Sequence, residues 1–502
     1  MKHFKPYIAL LLLLSMPILA QKKGKQAEDP TANIQNFVYQ MMTEWKVPGC
    51  AISIVKDGKS YFNGGFGLKN QQTKQAVTAQ TLFPIASCSK SFTAAALAIL
   101  VDEGKIEWNK PVKNYLPDFQ LSNIEAEHLI TVRDLLSHRT GLPRHDFVWL
   151  FSNLNRQAIY ERLKYLQLSK QPYDQYQYNN LMYMVAGILV EKVAGKSWEA
   201  FVKERILTPL NMNSTVLTYP ELFKSTDYAL SYKEDKGNWV EVGFASNVDA
   251  IGPAGAIKSN TIDMTNWLLL QLQKGKFNDQ PIISEKNLKE NHTPIQVVWP
   301  AEAKYPELGF ATYGMGWNLN VYRGAQRSQH NGSIEGYRSQ MTVFPNNGLG
   351  IFITTNTSDA DYFFVNTVTN YIADQLLELN SIDWNQRYKK DREDARFEEE
   401  KKTKAMAANR KIGAAMSHHI DFYTGIFEHP AYGILQIYKT DRGLRATYHN
   451  RSFELTHFHY DYFMGNELWE NVPLEFESNL KGEIYQIKAS IPNAGEIIFN
   501  KK

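Results

Sequence analysis

The amino-acid sequence predicts an α+β fold, an antiparallel sheet flanked by helices, with a small antiparallel β domain behind it. Three observations lead there. Strand-like runs at 51–55 and 60–66 flank Asp57-Gly58, a dipeptide that favours a tight hairpin and so antiparallel pairing. Two segments, 91–101 and 181–193, are apolar on every side, as helices inside a large core are. From Ile420 onward the pattern turns to short strands.

At 502 residues the chain is long enough for two or three domains and a sizeable core. Hydrophobic residues make up 43% and charged residues 21%, and a formal charge of +3 gives no reason to invoke nucleic acid. Lys2, His3 and Lys5 precede an apolar run at 7–14, and 15–20 closes on a small residue before the polar Gln21-Lys-Lys-Gly-Lys25. That is the layout of a cleavable signal peptide over 1–20, so a periplasmic or secreted location is expected. Cys50 and Cys88 are the only cysteines, too few for a disulfide framework, and two buried free thiols are expected.

Ile34, Phe37, Val38, Met41, Met42 and Trp45 recur at helical spacing and predict an amphipathic helix covering one face of the sheet, stopped before Pro48-Gly49. Short apolar runs at 112–116 and 130–136 lead into the turn-rich 137–143, where His138 is read as orienting neighbouring backbone rather than as a base. The helix 181–193 ends at Ala194-Gly195 in the manner of a glycine cap. Ile251-Gly-Pro-Ala-Gly-Ala256 reads as a small-residue loop able to approach a ligand closely, with a helix at 262–272 behind it. His330-Asn-Gly-Ser333 is expected to precede two alternating strands, 337–344 and 349–355, joined through Asn346-Asn-Gly348 and covered by a helix at 362–379. The charge-dense 386–411 reads as a solvated helical linker. Strands are expected at 423–427, 433–439, 444–448, 453–457 and 484–491. His457 and His459 lack the further ligands a metal site needs.

The chemistry is carried by Phe83-Pro-Ile-Ala-Ser-Cys-Ser-Lys90, at the head of the first buried helix. If Ser87 opens that helix, Lys90 lies one turn along the same face and brings an amine to the hydroxyl. Tyr178 and Asn180 stand at the head of the second buried helix, so neighbouring helices would share one cleft. CxxC, HExxH and GxSxG patterns are absent, and no metal or cofactor is expected.

With Ser87/Lys90, Tyr178/Asn180 and His330/Gly332 in this order, the chain resembles the serine β-lactamase-like family of class C β-lactamases, penicillin-binding DD-peptidases and related esterases. The similarity runs from about Asn33 to Asn380. It includes Leu135-Leu-Ser-His-Arg-Thr-Gly-Leu142, Thr208-Pro-Leu-Asn-Met212 and Gly252-Pro-Ala-Gly255. Tyr423-Thr-Gly425, Tyr432-Gly433 and Leu455-Thr-His-Phe-His459 resemble the barrel-like, lipocalin-like domain appended to such enzymes. The resemblance implies a β-lactamase/transpeptidase-like catalytic domain over 30–380, including an all-helical subdomain, then a linker over 381–415 and a β domain over 416–502.

The resemblance further implies an acyl-enzyme on Ser87, with Lys90 and Tyr178 sharing the proton and the backbone NH groups of Ser87 and Ser333 holding the oxyanion. Asn180 would bind the substrate's carbonyl or amide, with His330, Gly332 and Ser333 lining the substrate site. A phenol with a pKa near 10 is only roughly 0.1% ionised at pH 7, and a neighbouring cation lowers that pKa. His330 stands where the family's lactamases carry the lysine of KTG, so a mostly neutral ring replaces a permanent charge. Hydrolysis of small esters, amides or peptides, including cell-wall peptides with D-residues, is therefore expected ahead of β-lactamase activity. Acyl transfer to a hydroxyl or amine is the second reading, and a penicillin- or peptidoglycan-binding module without turnover the third. Strand edges of the β domain would pair in a homo-oligomer. With one cation fewer near Tyr178, the rate should rise into the alkaline range. His330→Lys should shift the pH profile of kcat/KM, and an unmoved profile would refute that link.

Overall fold

The computed structural model describes residues 1–3, 30–244, 247–298, 303–466, 469 and 472–502; the expected leader, beyond its first three residues, lies outside them. Nine strands form one sheet in the spatial order Gln296–Val297, Thr312–Tyr313, Asn318–Tyr322, Ala325–Ile334, Tyr337–Phe344, Leu349–Thr355, Gly49–Lys56, Lys59–Asn70, Gln75–Ala76. Every pair is antiparallel. The first hairpin turns through Asp57 and Gly58, both at positive φ (49° and 75°), the geometry of a turn whose twist matches the strands. Asp57 N–H donates to Gly348 O at 2.8 Å, which ties this tip to the neighbouring hairpin.

Gly49–Lys56 is buried along almost its whole length because both sheet faces are covered. Alternate residues Cys50, Ile52 and Ile54 pack under the helices Ala32–Glu44 and Asp361–Leu376. On the other face, Ser53 meets Thr265 of the helix Thr261–Leu272, hydroxyl to hydroxyl, at 2.7 Å. The chain between Gln75–Ala76 and Gln296–Val297 builds the helical part. There Ser89–Asp102 is buried from Ser89 to Leu100, with Phe92 stacked on Trp267 at 3.7 Å between ring centroids. Asn180–Ala194 ends at Gly195 in the left-handed region (φ 68°), the expected cap. Cys50 and Cys88 are buried and free.

Local expectations shift at four places. Ser87 sits on a tight turn, Ala86–Cys88, that feeds the α-helix instead of opening it, with Ala86 ahead of it at φ 47°. His330 to Ser333 lie inside the strand Ala325–Ile334 rather than before it. The strand can run there because Gly332 passes the preceding turn so closely that a Cβ would fall 2.1 Å from Ile85 O. Gly252–Gly255 is a helical turn. Finally, Trp384–Ala408 is solvated only in its later part. Its first turns bury Trp384 and Tyr388, and Arg387 bonds Glu307 at 2.9 and 3.0 Å.

Eight strands from Gly425–His429 to Gly495–Lys501 close into a barrel, with Phe427 and Glu428 on the first paired to Lys501 and Asn500 on the last. Closure removes the free edges on which pairing across a dimer would rest. Tyr462–Gly465, Pro473–Ser478 and Gly495–Lys501 complete it, short strands with little apolar alternation beyond Phe463, Leu474, Phe476, Ile497 and Phe499. Tyr423 lies in a turn before the first strand.

The barrel docks on the segment that follows Pro143. Arg144 N–H donates to Asn493 O at 3.0 Å, Tyr448 OH donates to Phe147 O at 2.8 Å, and Phe147 meets Trp469 edge-on. A His145 ring nitrogen and Tyr432 OH lie 2.8 Å apart, and His429 accepts the N–H groups of Ala431 and Tyr432. Burial pushes both histidines down to about 4 from an ordinary 6.5. Their neutral docking is thus fully favourable above about pH 6.5 and is lost as pH falls towards 4. The melting temperature should drop across that window, and less steeply in a His145→Gln/His429→Gln variant; equal acid slopes would exclude the link. Gly332→Ala should cost about 1–3 kcal/mol in urea denaturation through its clash with Ile85, and an unchanged midpoint would show that the strand has room.

Candidate active site

Ser87 is held by a strained turn. Ala86 adopts a positive φ without being glycine, a conformation that costs about 1–3 kcal/mol and persists only when its surroundings impose it. They do so on two sides. Ser89 Oγ donates to Ala86 O at 2.7 Å and accepts Ile257 N–H at 3.1 Å, while Ile85 N–H donates to Ile257 O at 2.9 Å. On the opposite side the Gly332 backbone rests against Ile85, which brings Ser333, exposed on its strand, alongside the same turn.

Lys90 has no exposed surface. Its Nζ lies 3.2 Å from Ser87 Oγ and donates to Asn180 Oδ1 and Ala254 O, both at 2.8 Å. Among the described residues no carboxylate comes within ion-pair reach of it. Burial, and then the positive charge of Arg144, push its pKa well below the usual 10.5. The small-residue turn Gly252–Gly255 thus serves the lysine. It fits because Gly187 of the second helix leaves space where a Cβ would stand 2.1 Å from Pro253.

Tyr178 OH donates to Ser87 Oγ at 2.7 Å, and Lys90 Nζ sits 4.8 Å from its ring centroid. Burial raises the phenol's pKa, offset in part by the Ser87 hydrogen bond and by Arg144. Asn179 caps the second helix by accepting Met182 N–H at 2.9 Å, and its amide donates to Leu142 O and Pro143 O. Asn180 accepts from Lys90 and donates to Asp146 Oδ1 at 3.0 Å, so both ends of its amide are engaged within the protein.

His330 is buried, with Nδ1 donating to Asn331 O at 2.7 Å and Nε2 accepting Tyr313 OH at 2.9 Å. Burial and the Lys90 charge push it down to about 3, so it is neutral. Both ring nitrogens are committed inside the fold, which removes the free hydrogen bond to substrate that the sequence suggested. His138 accepts Asn179 N–H at 3.1 Å, its carbonyl accepts Gln177 N–H at 2.8 Å, and burial holds it neutral. It orients the Tyr178 segment, as expected. His457 Nε2 pairs with Tyr460 O and His459 Nδ1 accepts Lys411 N–H; among the described residues no group of three or more His, Cys, Asp or Glu gathers for a metal ion.

Arg144 and Asp146 are the residues that sequence reasoning missed. The guanidinium lies 5.1 Å from the Tyr178 ring centroid and bonds Asp146 Oδ2 at 2.6 Å; Asp146 in turn accepts from Asn180 and from Trp149 Nε1. Arg144 directly follows the Leu142-Pro143 end of the turn motif, and that adjacency was the one available signal. A cleft of about 510 Å³ opens beside Tyr178, walled by Arg144 and Tyr176 and by Asn493, Ala494 and Gly495 of the barrel.

A nucleophilic hydroxyl between a phenol and a desolvated amine, beside a fixed cation, is equipped for acyl transfer from a carbonyl. The beta-lactamase family model matches residues 34–373, and a domain of unknown function, DUF3471, matches 409–496. The unguisins hydrolase ungD′ of Aspergillus campestris is 30% identical over 443 residues, 83% of this chain and 79% of that protein. The octameric penicillin-binding protein homologue from Pyrococcus abyssi superposes with a TM-score of 0.62 at 21% identity, covering 94% of this chain and 100% of that one. The D-amino acid amidase from Ochrobactrum anthropi, complexed with L-phenylalanine amide, gives a TM-score of 0.58 at 24% identity over 69% of this chain and 98% of its own. At those identities the two structures speak to fold alone. The family match over most of the chain, with a relative this similar along most of its length, makes the chain a serine hydrolase of the beta-lactamase family.

Proposed function

We propose that the chain hydrolyses amide or ester bonds of small, peptide-like molecules through an acyl-enzyme on Ser87, outside the cytoplasm. The observation that carries this is the pair of contacts on one oxygen, Tyr178 OH at 2.7 Å and Lys90 Nζ at 3.2 Å from Ser87 Oγ. Desolvation makes neutral Lys90 available as the base, and the buried phenol stays protonated in the resting site. Lys90 takes the Ser87 proton as Oγ adds to the carbonyl carbon. The oxyanion forms towards the Ser87 and Ser333 backbone NH groups. Collapse of the adduct expels the amine or alcohol, which receives a proton through Tyr178, and water then releases the acid by the reverse route.

Amides come ahead of esters because the D-amino acid amidase shares this fold, and the hydrolase name of ungD′ supports hydrolysis. The cleft beside Tyr178, with the barrel hairpin along one side, leaves room for part of a small substrate, and Tyr178, which bonds Ser87, is the residue that joins it to the nucleophile. The basic and apolar stretch at 2–14 supports export. His330, neutral and fully bonded, supports weak β-lactam turnover, because a substrate carboxylate finds no lysine at that position.

Intact mass after mixing the protein with a nitrophenyl ester, a cephalosporin and a D-alanine amide tests the reading. The wild type should carry a transient acyl adduct from the ester and the amide, Ser87→Ala none, and the cephalosporin adduct should decay slowest. A glycine amide acceptor should leave the free acid as the main product. Equal labelling of wild type and Ser87→Ala, or no adduct on either, would overturn the assignment, and capture by the acceptor would make the chain a transferase.

A further inference from the structure

Tyr178 is surrounded on several sides. Part of that surround is the phenols of Tyr176 in its own segment, Tyr183 on the second buried helix and Tyr313 on the strand Thr312–Tyr313, each with its pKa pushed up by burial and so uncharged. Lys90 lies on the first buried helix, His330 on its strand with its ring 6.4 Å away, and Tyr362 on the helix Asp361–Leu376. The loop after the short helix Val132–Leu136 contributes His138, 4.4 Å from the ring, together with Arg144 and Asp146. Burial holds both histidines neutral and shifts Lys90 towards its neutral form. Among these described groups Arg144 is the remaining fixed positive charge. Asp146 opposes it, yet that carboxylate is already occupied by Arg144, Asn180 and Trp149, and the guanidinium outweighs it at both Lys90 and Tyr178.

The position of Arg144 is built. Its side chain is forked onto Asp146, its N–H donates to Asn493 O of the barrel, and the two carbonyls before it accept the Asn179 amide. Nearly half of the side chain, 42%, faces solvent, on the wall of the cleft. We infer that Arg144 is a positioning residue, the cation that biases the Lys90–Tyr178 pair towards releasing its proton, and that the barrel hairpin at Asn493 holds it there. This rests on the acyl-enzyme reading above. A charge about 5 Å from a buried group is worth more than the same charge in water, and the ion pair with Asp146 and solvent screen part of it. Without it, Lys90, which takes the Ser87 proton, holds its own proton more tightly and is less often free to act as the base.

The test is the rate of Ser87 phosphonylation by a fluorophosphonate, followed by intact mass between about pH 6 and pH 10 for wild type, Arg144→Met and Arg144→Lys. Arg144→Met should react roughly tenfold more slowly at pH 7 and recover as pH rises, and Arg144→Lys should keep most of the wild-type profile. A loss that is equal at every pH, or a lysine variant no better than the methionine one, would reduce Arg144 to a structural role and overturn the inference. A second readout needs no reactive serine: urea midpoints at acid pH for Lys90→Met, Arg144→Met and the double variant. Repulsion between the two cations should make Lys90→Met stabilise the wild-type background more than the Arg144→Met background, and additivity would also overturn the inference. If Ser87 is unreactive throughout while this coupling is present, the acyl-enzyme reading fails and the electrostatic link stands.

Discussion

An amine enclosed with no carboxylate within ion-pair reach among the described residues is costly, and much of the fold near Lys90 makes it tolerable. Keeping Lys90 charged in a dry interior costs several kcal/mol. Neutralising an ordinary lysine at pH 7 costs a comparable amount, about 5 kcal/mol, and burial moves the balance towards the neutral form. Asn180 Oδ1 and Ala254 O satisfy the amine in either state. Those acceptors are where they are because Asn179 caps the second helix and because Gly187 lets Pro253 approach. In the proposed reaction this cost leaves an amine beside Ser87 whose pKa burial holds well below the usual 10.5.

The same constraint explains the local strain. Ser87 must point at the phenol and the amine at once, and the chain achieves this with Ala86 in the left-handed region, clamped by Ser89 and by the strand at Gly332. Strain in one residue is sustained by a buried surround that has no cheaper arrangement. His330 belongs to that surround. It anchors Tyr313 and its own strand, and so supports the site without supplying charge to it.

Charge enters from elsewhere. The loop that carries Arg144 and Asp146 is also the platform on which the barrel docks, through Arg144, His145 and Phe147. Barrel and site are therefore mechanically joined over a few residues. Closing the barrel fills its interior with Phe453, Phe463, Phe476 and Phe499, and its last hairpin lies along the cleft.

Much of this was legible in the chain, because the signals were local. Strand-like runs flanking Asp57-Gly58 determined an antiparallel hairpin, wholly apolar segments determined buried helices, Gly195 determined a helix end, and serine with lysine three residues on determined which groups would meet. Motif order named the family for the same reason, since each motif is a short run with its own chemistry. The tertiary structure alone decided what surrounds them. Ala254 reaches Lys90 across 164 positions, and Asn493 meets Arg144 across an even longer span. Such contacts leave no periodicity, for either partner could be many residues and still close the distance. Burial is equally non-local: His330 reads as a group poised near neutral pH until the fold removes the water around it, and only then is it a neutral strut, with Arg144 left to carry the charge.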